Sequence, residues 1–196
     1  MSDPLFDAED DAATPLTPDE REGLIPAYIT LRRELNEAEQ VGIESADRWA
    51  FGRRRNVLDE RFLKLLHKRM FGGVWRWAGA YRTTARNIGV DAYRIGVDLH
   101  QLLDDVRYWI DHQTYAPDEI AVRFHHRLVA IHPFPNGNGR HARLAADLLA
   151  VQLGQPRLSW GRASLVEPKE TRQAYVAALR AADQHDIAPL LTFARS

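Results

Sequence analysis

From residue 17 onward, apolar residues recur mainly with the i, i+3, i+4, i+7 spacing that places them on one face of an α-helix. The clearest run is Leu99, Leu102, Leu103, Val106, Trp109 and Ile110. Thr17-Pro18 and Pro117 are typical of first helical turns, and Gly72 is typical of a helix end. The pattern predicts a helix that begins at 17, helices over about 30–50, 57–70, 99–110 and 117–131, one that follows a loop at 132–138 and ends near Gly154, and two more over 168–184 and 187–195.

One segment, residues 74–96, departs from this helical pattern. It is rich in residues that favour strands, namely Trp75, Trp77, Tyr81, Thr83, Thr84, Ile88, Val90 and Tyr93. Gly79, Gly89 and Asp91 divide it into short pieces, as turn residues do. The segment therefore predicts a short β-hairpin or an extended flap. The predicted fold class is all-α, a helical bundle with one small β-hairpin flap.

The length and composition suit one domain without disulfide bonds. The chain has 196 residues and no cysteine, which excludes disulfides, thiolate metal sites and a cysteine nucleophile. We expect a flexible acidic leader over residues 1–16 and a single domain over 17–196, because the leader lacks apolar periodicity. No apolar run is long enough to cross a membrane, and the acidic N-terminus does not resemble a secretory signal. A cytoplasmic protein without a membrane partner is expected.

The net charge of −1 conceals an asymmetry along the chain. Residues 1–20 carry seven acidic residues and no Lys or Arg, which leaves 20 acidic against 26 basic residues in the remainder. A basic body suits an anionic partner such as a nucleotide. A nucleic-acid partner is not expected, because the chain has no recognised nucleic-acid-binding motif.

The residues that can carry chemistry are concentrated between Ile131 and Arg143. Gly137 and Gly139 let backbone amides turn toward an anion, and the helix that follows adds unpaired N–H groups at its start. Arg140 and Arg143 are three residues apart, so both can reach the same phosphate group. His132 lies beside this cradle, where an imidazole could take a proton from a nucleophile. The glycine spacing does not match a Walker loop.

This segment resembles the signature of the Fic/Doc family, H-x-F-x-[D/E]-G-N-G-R-x-x-R. The matching positions are His132, Phe134, Gly137, Asn138, Gly139, Arg140 and Arg143. Upstream, Trp77-Ala78-Gly79-Ala80-Tyr81-Arg82 is similar to the W-A-G-x-Y-R that precedes the flap in this family. The stretch Leu35-Asn36-Glu37-Ala38-Glu39-Gln40 resembles a subgroup called mobile mystery protein B.

The resemblance implies an enzyme, a protein adenylyltransferase that moves AMP from ATP to a Ser, Thr or Tyr hydroxyl of a target protein. His132 would be the general base, and the amides of Gly137 to Gly139 with Asn138 would form an anion hole. Arg140 and Arg143 would hold the β- and γ-phosphates. Phe134 would anchor the loop in the core. ATP is thus the implied co-substrate, with Mg²⁺ as the metal.

The resemblance also implies two kinds of protein partner. A target segment would pair with the flap by strand addition, for which Thr83, Thr84, Ile88 and Val90 are the candidate contacts. The subgroup further implies a helix-turn-helix protein as a neighbour in a two-component module on a mobile element.

One position departs from the family signature. Asn136 stands where the family has the acidic residue that holds Mg²⁺. An amide oxygen can coordinate Mg²⁺ but contributes no charge, and this ion prefers carboxylates and phosphates. Three outcomes are open: slow AMP transfer, a different phosphate-containing donor, or a site that binds nucleotide without turnover.

A candidate inhibitory residue lies in the N-terminal helices, residues 17–50. Many Fic proteins carry [S/T]-x-x-x-E-[G/N], whose Glu pairs with the second Arg of the signature. Thr30-Leu31-Arg32-Arg33-Glu34-Leu35 matches this pattern except at its last position. Glu34 is therefore expected to compete with a phosphate for Arg143.

Two further hypotheses belong to other classes. A non-catalytic or weakly active nucleotide-binding protein, acting through a protein partner, is the main alternative because of Asn136. His125, His126 and His132 could suggest a transition-metal site, but no accompanying acidic residue completes a metalloprotease pattern.

Overall fold

The computed structural model describes residues 17–161 and 168–196, so the predicted leader over 1–16 lies outside the described residues. The helices are α1 Pro18–Arg21, α2 Arg32–Phe51, α3 Glu60–Phe71, α4 Ile95–Asp111, α5 Pro117–Ile131, α6 Asn138–Gln152, α7 Pro168–Asp183 and α8 Ala188–Arg195. The all-α prediction is confirmed, and these bounds follow the periodic segments of the sequence closely. Across the described part of the chain, none of the helices is both long and apolar enough to cross a bilayer.

The predicted helix starts are formed by local hydrogen bonds. In α1, the Thr17 N–H donates to Glu20 Oε2 at 2.9 Å, and the Glu20 N–H donates to Thr17 Oγ1 at 3.4 Å. This reciprocal pair is a capping box, which satisfies two N–H groups at the start of the helix. Pro117 occupies the first turn of α5, and Gly72 ends α3 as the sequence predicts.

The centre of the fold is the pair α5 and α6. α5 packs against α4, α6 and α8, and α6 packs in addition against α2 and α3. α6 is buried almost all round, as expected for a helix enclosed by others. Its buried Asp147 carboxylate accepts hydrogen bonds from Trp160 Nε1 at 2.7 Å and from Arg157 at 3.1 Å. The loop between α5 and α6, residues 132–137, is thus carried by two rigid elements.

The predicted β-hairpin over 74–96 is absent from the structure. This segment consists of turns and bends, one isolated bridge between Leu24 and Trp75, and a 3₁₀ turn at Ala92–Arg94; no β-strand occurs within 17–161 or 168–196. The physical reason is that the carbonyls of Thr84 and Val90 accept hydrogen bonds from the Arg82 side chain. Residues that favour strands are present, but the Arg82 side chain takes the place of a strand partner, so the flap forms no β-ladder.

Candidate active site

His132 lies directly after α5, at the start of the loop. Its backbone is left-handed, with φ 54° and ψ 59°, a conformation that few non-glycine residues adopt. The side chain is buried, with 7% of its surface exposed. Burial, followed by the nearby positive charge of Arg82, lowers the pKa of His132 to about 4. The imidazole is therefore neutral at physiological pH and can accept a proton.

The loop after His132 is closed by two side chains. Phe134 is buried and its ring stacks on the His67 ring, with the centroids 3.8 Å apart. Asn138 Oδ1 accepts the Phe134 N–H at 2.9 Å, and Asn138 Nδ2 donates to the Phe134 carbonyl at 2.8 Å. Phe134 anchors the loop in the core, as predicted. The Asn138 side chain is used to hold the loop, so what it offers an anion is its backbone N–H.

The start of α6 supplies the amides of the predicted anion site. Gly137 is the residue before the helix and has φ 77°, so it has no side chain with which to cap the helix. A Cβ at Gly137 would lie 2.6 Å from the Phe71 ring, which explains the glycine sterically. The N–H groups of Asn138, Gly139 and Arg140 open the helix and have no carbonyl partner within it. Such a helix start favours phosphate and other anions.

Asn136 tests whether Mg²⁺ fits this site. Its Oδ1 accepts the N–H of Gly137 at 2.5 Å, so the amide oxygen is already used within the loop. The side chain offers one neutral oxygen where Mg²⁺ prefers a carboxylate. The residues present therefore fit a phosphate group better than they fit a divalent ion.

The two arginines of the signature have different surroundings. Arg140 Nη1 lies 2.6 Å from Glu39 Oε2, and its guanidinium lies over the Phe71 ring at 4.9 Å from the centroid. The Arg143 guanidinium lies over the Tyr175 ring at 5.4 Å. Glu39 is buried, with 4% of its surface exposed, although Arg140 itself is partly exposed. One of the two candidate phosphate ligands is thus held by a carboxylate from α2.

Glu34 and Glu39 lie on the same helix but do different things. Glu34 Oε2 accepts the backbone N–H groups of Thr30 at 2.9 Å and of Leu31 at 3.0 Å. These hydrogen bonds lower the pKa of Glu34 and cap the start of α2. Glu39 Oε1 accepts the Trp75 Nε1–H at 2.7 Å, while its other oxygen meets Arg140. The inhibitory role of Glu34 stays a prediction, and the α2 carboxylate that the structure places at the signature is Glu39.

His67 supports the site and was missed in the sequence. Its Nδ1 accepts the Gly79 N–H at 3.0 Å, so the ring proton is on Nε2, which donates to the Asn136 carbonyl at 3.0 Å. Burial lowers the pKa of His67 well below its usual value, which keeps the ring neutral. The sequence shows only a single histidine on the apolar face of α3. This pattern alone does not distinguish a core histidine from a histidine that supports the site.

The flap residues lie beside the base. Thr83, Thr84 and Ile88 are exposed, whereas Val90 is half-buried and its N–H donates to the Ile131 carbonyl at 3.4 Å. Gly89 allows this approach, because a Cβ there would lie 2.6 Å from the His132 Cβ. The exposed side chains are thus available to a partner.

The other two histidines of the suggested metal site have separate partners. His125 Nε2 lies 3.0 Å from the Tyr175 hydroxyl, and His126 Nε2 lies 2.8 Å from Asp183 Oδ1. Among residues 17–161 and 168–196, no three His, Asp or Glu side chains form a group that could hold a metal ion.

The structure thus places the start of α6, which can bind an anion, close to the neutral imidazole of His132. Comparison with known sequences identifies the family to which this segment belongs. Residues 57–150 match the sequence model of the Fic/DOC family. Residues 57–150 thus form a domain of that family, and the resemblance seen in the signature is confirmed.

Curated relatives and solved structures resemble this chain in sequence and in fold. The protein adenylyltransferase fic-1 of Caenorhabditis briggsae is 35% identical over 132 residues, which are 65% of this chain and 25% of the relative. The structure of Fic-1 (residues 134–508) from C. elegans has 26% identity and a TM-score of 0.66, covering 89% of this chain and 51% of that one. BepC from Bartonella tribocorum with bound AMPPNP shares the fold, with a TM-score of 0.69, 18% identity and coverage of 91% and 97%. The chain spans about a quarter of the length of the curated relatives it matches.

Proposed function

We propose that this protein transfers AMP from ATP to a hydroxyl side chain of a target protein. The observation that carries the proposal is the placement of a neutral His132 directly before a loop that ends in the unpaired amides of α6. Relatives that are 30–35% identical are named protein adenylyltransferases, which supports this reaction at the level of the family. The AMPPNP in BepC supports an adenine nucleotide as the ligand of the shared fold.

In the proposed reaction, the target hydroxyl oxygen forms a bond to the α-phosphorus of ATP. The bond between that phosphorus and the oxygen that bridges to the β-phosphate breaks, and pyrophosphate leaves with the electron pair. His132 takes the hydroxyl proton as the new bond forms. The first-turn amides of α6 and the Arg140 and Arg143 side chains would bind the phosphate oxygens. Positioning and electrostatics supply most of the catalysis in phosphate transfer.

No step of this proposal depends on Mg²⁺, because Asn136 does not supply the carboxylate that the ion prefers. The Arg140 side chain must also release the Glu39 carboxylate before it can bind a phosphate group of ATP. Both features favour a low basal activity. A nucleotide-binding protein with little turnover, acting through a protein partner, is the second candidate for the same reasons.

The partners follow from the same assignment. The exposed Thr83, Thr84 and Ile88 would contact an extended segment of the target beside His132. A helix-turn-helix protein from a mobile-element module remains a proposed partner on the basis of the resemblance to the mobile mystery protein B subgroup.

The proposal is tested by His132→Ala. This change should reduce transfer by about 10²–10⁴-fold, since a general base contributes about that much, and should leave the ATP dissociation constant within a factor of about two. Calorimetry with ATP and a transfer assay on the same preparation provide the two values. Transfer that persists within twofold of the wild type would remove His132 as the base.

A further inference from the structure

Arg82 is a buried cation with an unusual set of partners. Only 2% of the residue's surface is exposed, and its guanidinium donates hydrogen bonds to four backbone carbonyls. Nε donates to the His132 carbonyl at 2.6 Å, and Nη1 donates to the Thr84 carbonyl at 2.9 Å. Nη2 donates to the Val90 carbonyl and, at 3.4 Å, to the Ile131 carbonyl. Two of these acceptors lie at the base and two lie in the flap.

The end of α5 explains why a guanidinium lies here. The last carbonyls of a helix have no partner within it and carry partial negative charge, so a cation at this end is stabilising. Because His132 is left-handed, its carbonyl leaves the helical ladder, and Arg82 supplies the donor that it needs. The Arg82 N–H also donates to the Pro133 carbonyl at 3.0 Å. The backbone on both sides of the base is therefore tied to Arg82.

The charges around this cluster come from two elements. Arg86, also in the flap, pairs with Glu20 of α1, and both side chains are largely buried. After burial, Arg82 and Arg86 contribute to lowering the pKa of His132. Burial and Arg86 also lower the pKa of Arg82, whereas Asp91 and Glu20 raise it. Lysine could supply the charge at position 82, but its single ammonium cannot span four carbonyls in the fixed geometry of a guanidinium.

We propose that Arg82 is a positioning residue that holds the base His132 and the flap as one unit, so that a hydroxyl bound by the flap meets the imidazole. This inference rests on the proposed function, in which His132 takes the proton. Arg82 touches neither the nucleotide nor the target hydroxyl in this assignment, and it acts through the backbone of His132, Thr84 and Val90.

The test compares Arg82→Lys and Arg82→Met with Arg76→Lys, a matched change at an exposed arginine of the same segment. Arg82→Lys should lower kcat about 100-fold, the cost of a small misplacement of reacting groups, while KM for ATP and ATP affinity stay within about twofold. Arg76→Lys should leave kcat and KM unchanged. A kcat within threefold of wild type for Arg82→Lys would overturn the proposal, as would an equal loss of kcat and ATP affinity, which marks a general structural role.

Two further measurements need no turnover. In NMR spectra of protein labelled on its histidine rings, Arg82→Met should raise the pKa of His132 above about 4 but leave it below its usual range, because burial is the larger cause and remains; Arg82→Lys should leave the pKa unchanged. Hydrogen exchange of the Val90 amide should be faster in both variants than in Arg76→Lys. These results would support Arg82 even if wild-type protein transferred no AMP. Unchanged exchange and an unchanged His132 titration in Arg82→Met would refute it even if transfer were active. Should Arg82→Met fail to fold, exchange in Arg82→Lys decides the matter.

Discussion

At the scale of single residues, Asn136 distinguishes this site from the signature of its family. It provides a neutral oxygen that already accepts the Gly137 N–H, where a carboxylate would attract a divalent ion. We predict that Asn136→Asp raises Mg²⁺-dependent AMP transfer about tenfold or more, because one added charge contributes at least about 1.4 kcal/mol to the interaction with the ion. The measurement is the transfer rate across a Mg²⁺ titration for both proteins.

The control for this prediction is the same titration with His132→Ala in the Asn136→Asp background, which should remain inactive. If Asn136→Asp turns over no faster than wild type at every Mg²⁺ concentration, then the missing charge does not limit this site.

At the scale of elements, α2 brings a carboxylate to the phosphate ligands. We predict that Glu39→Gln tightens ATP binding about fivefold, because it removes the charge that occupies Arg140 at a partly exposed ion pair. The glutamine keeps an acceptor for the Trp75 Nε1–H, so the fold should tolerate the change. The measurement is the ATP dissociation constant by calorimetry.

Glu34→Gly and Glu37→Gly complete this experiment. Glu34 caps its own helix in this structure, so Glu34→Gly should lower the melting temperature, and its ATP affinity shows whether Glu34 also has the inhibitory role. Glu37→Gly is the control on the exposed side of α2. A gain in ATP affinity from Glu34→Gly, with none from Glu39→Gln, would assign the inhibitory role to Glu34 as the sequence pattern predicts.

The helices could be predicted from the sequence because each buries one periodic face and has its own start and stop residues, as in Thr17 and Gly72. The flap could not, since Tyr81 and Ile88 favour strands while the Arg82 side chain takes the carbonyls that a strand would pair. His132 and Arg140 were found because they lie together in the chain.

The residues that contact Arg140 and Asn136 could not be predicted in this way, because they lie far away in the chain. Glu39 reaches Arg140 across 101 positions, and His67 reaches Asn136 across 69. Contacts of this kind depend on how α2 and α3 pack against α6, which a linear pattern does not specify.

At the scale of the whole molecule, the core holds neutral histidines that couple stability to pH. Burial lowers the pKa of His125 to about 3 and of His132 and His141 to about 4, and it lowers the pKa of His67 well below its usual value. In the unfolded chain these groups titrate near 6.5, so the unfolded state binds more protons below that pH. The stability they contribute is therefore complete above about pH 6.5 and is lost as the pH falls.

We predict that the free energy of unfolding decreases between pH 6.5 and 5, by up to about 1.4 kcal/mol per pH unit for each of these histidines. Urea unfolding at pH 7, 6 and 5 provides the slope. His125→Asn should reduce the slope by about one proton. A free energy of unfolding that is constant from pH 7 to 5 would show that these histidines have the same pKa values in the folded protein as in the unfolded chain.

In the proposed function, the α-phosphate of ATP is transferred to protein together with its adenosine. The direct measurement incubates wild-type protein and His132→Ala with cell lysate and ATP labelled separately at the α- and γ-phosphates. We predict that label from the α position appears on protein with the wild type only. Label from the γ position alone would indicate a kinase-like reaction. The absence of label from both positions would favour a nucleotide-binding protein without turnover. Either result would contradict the proposed function.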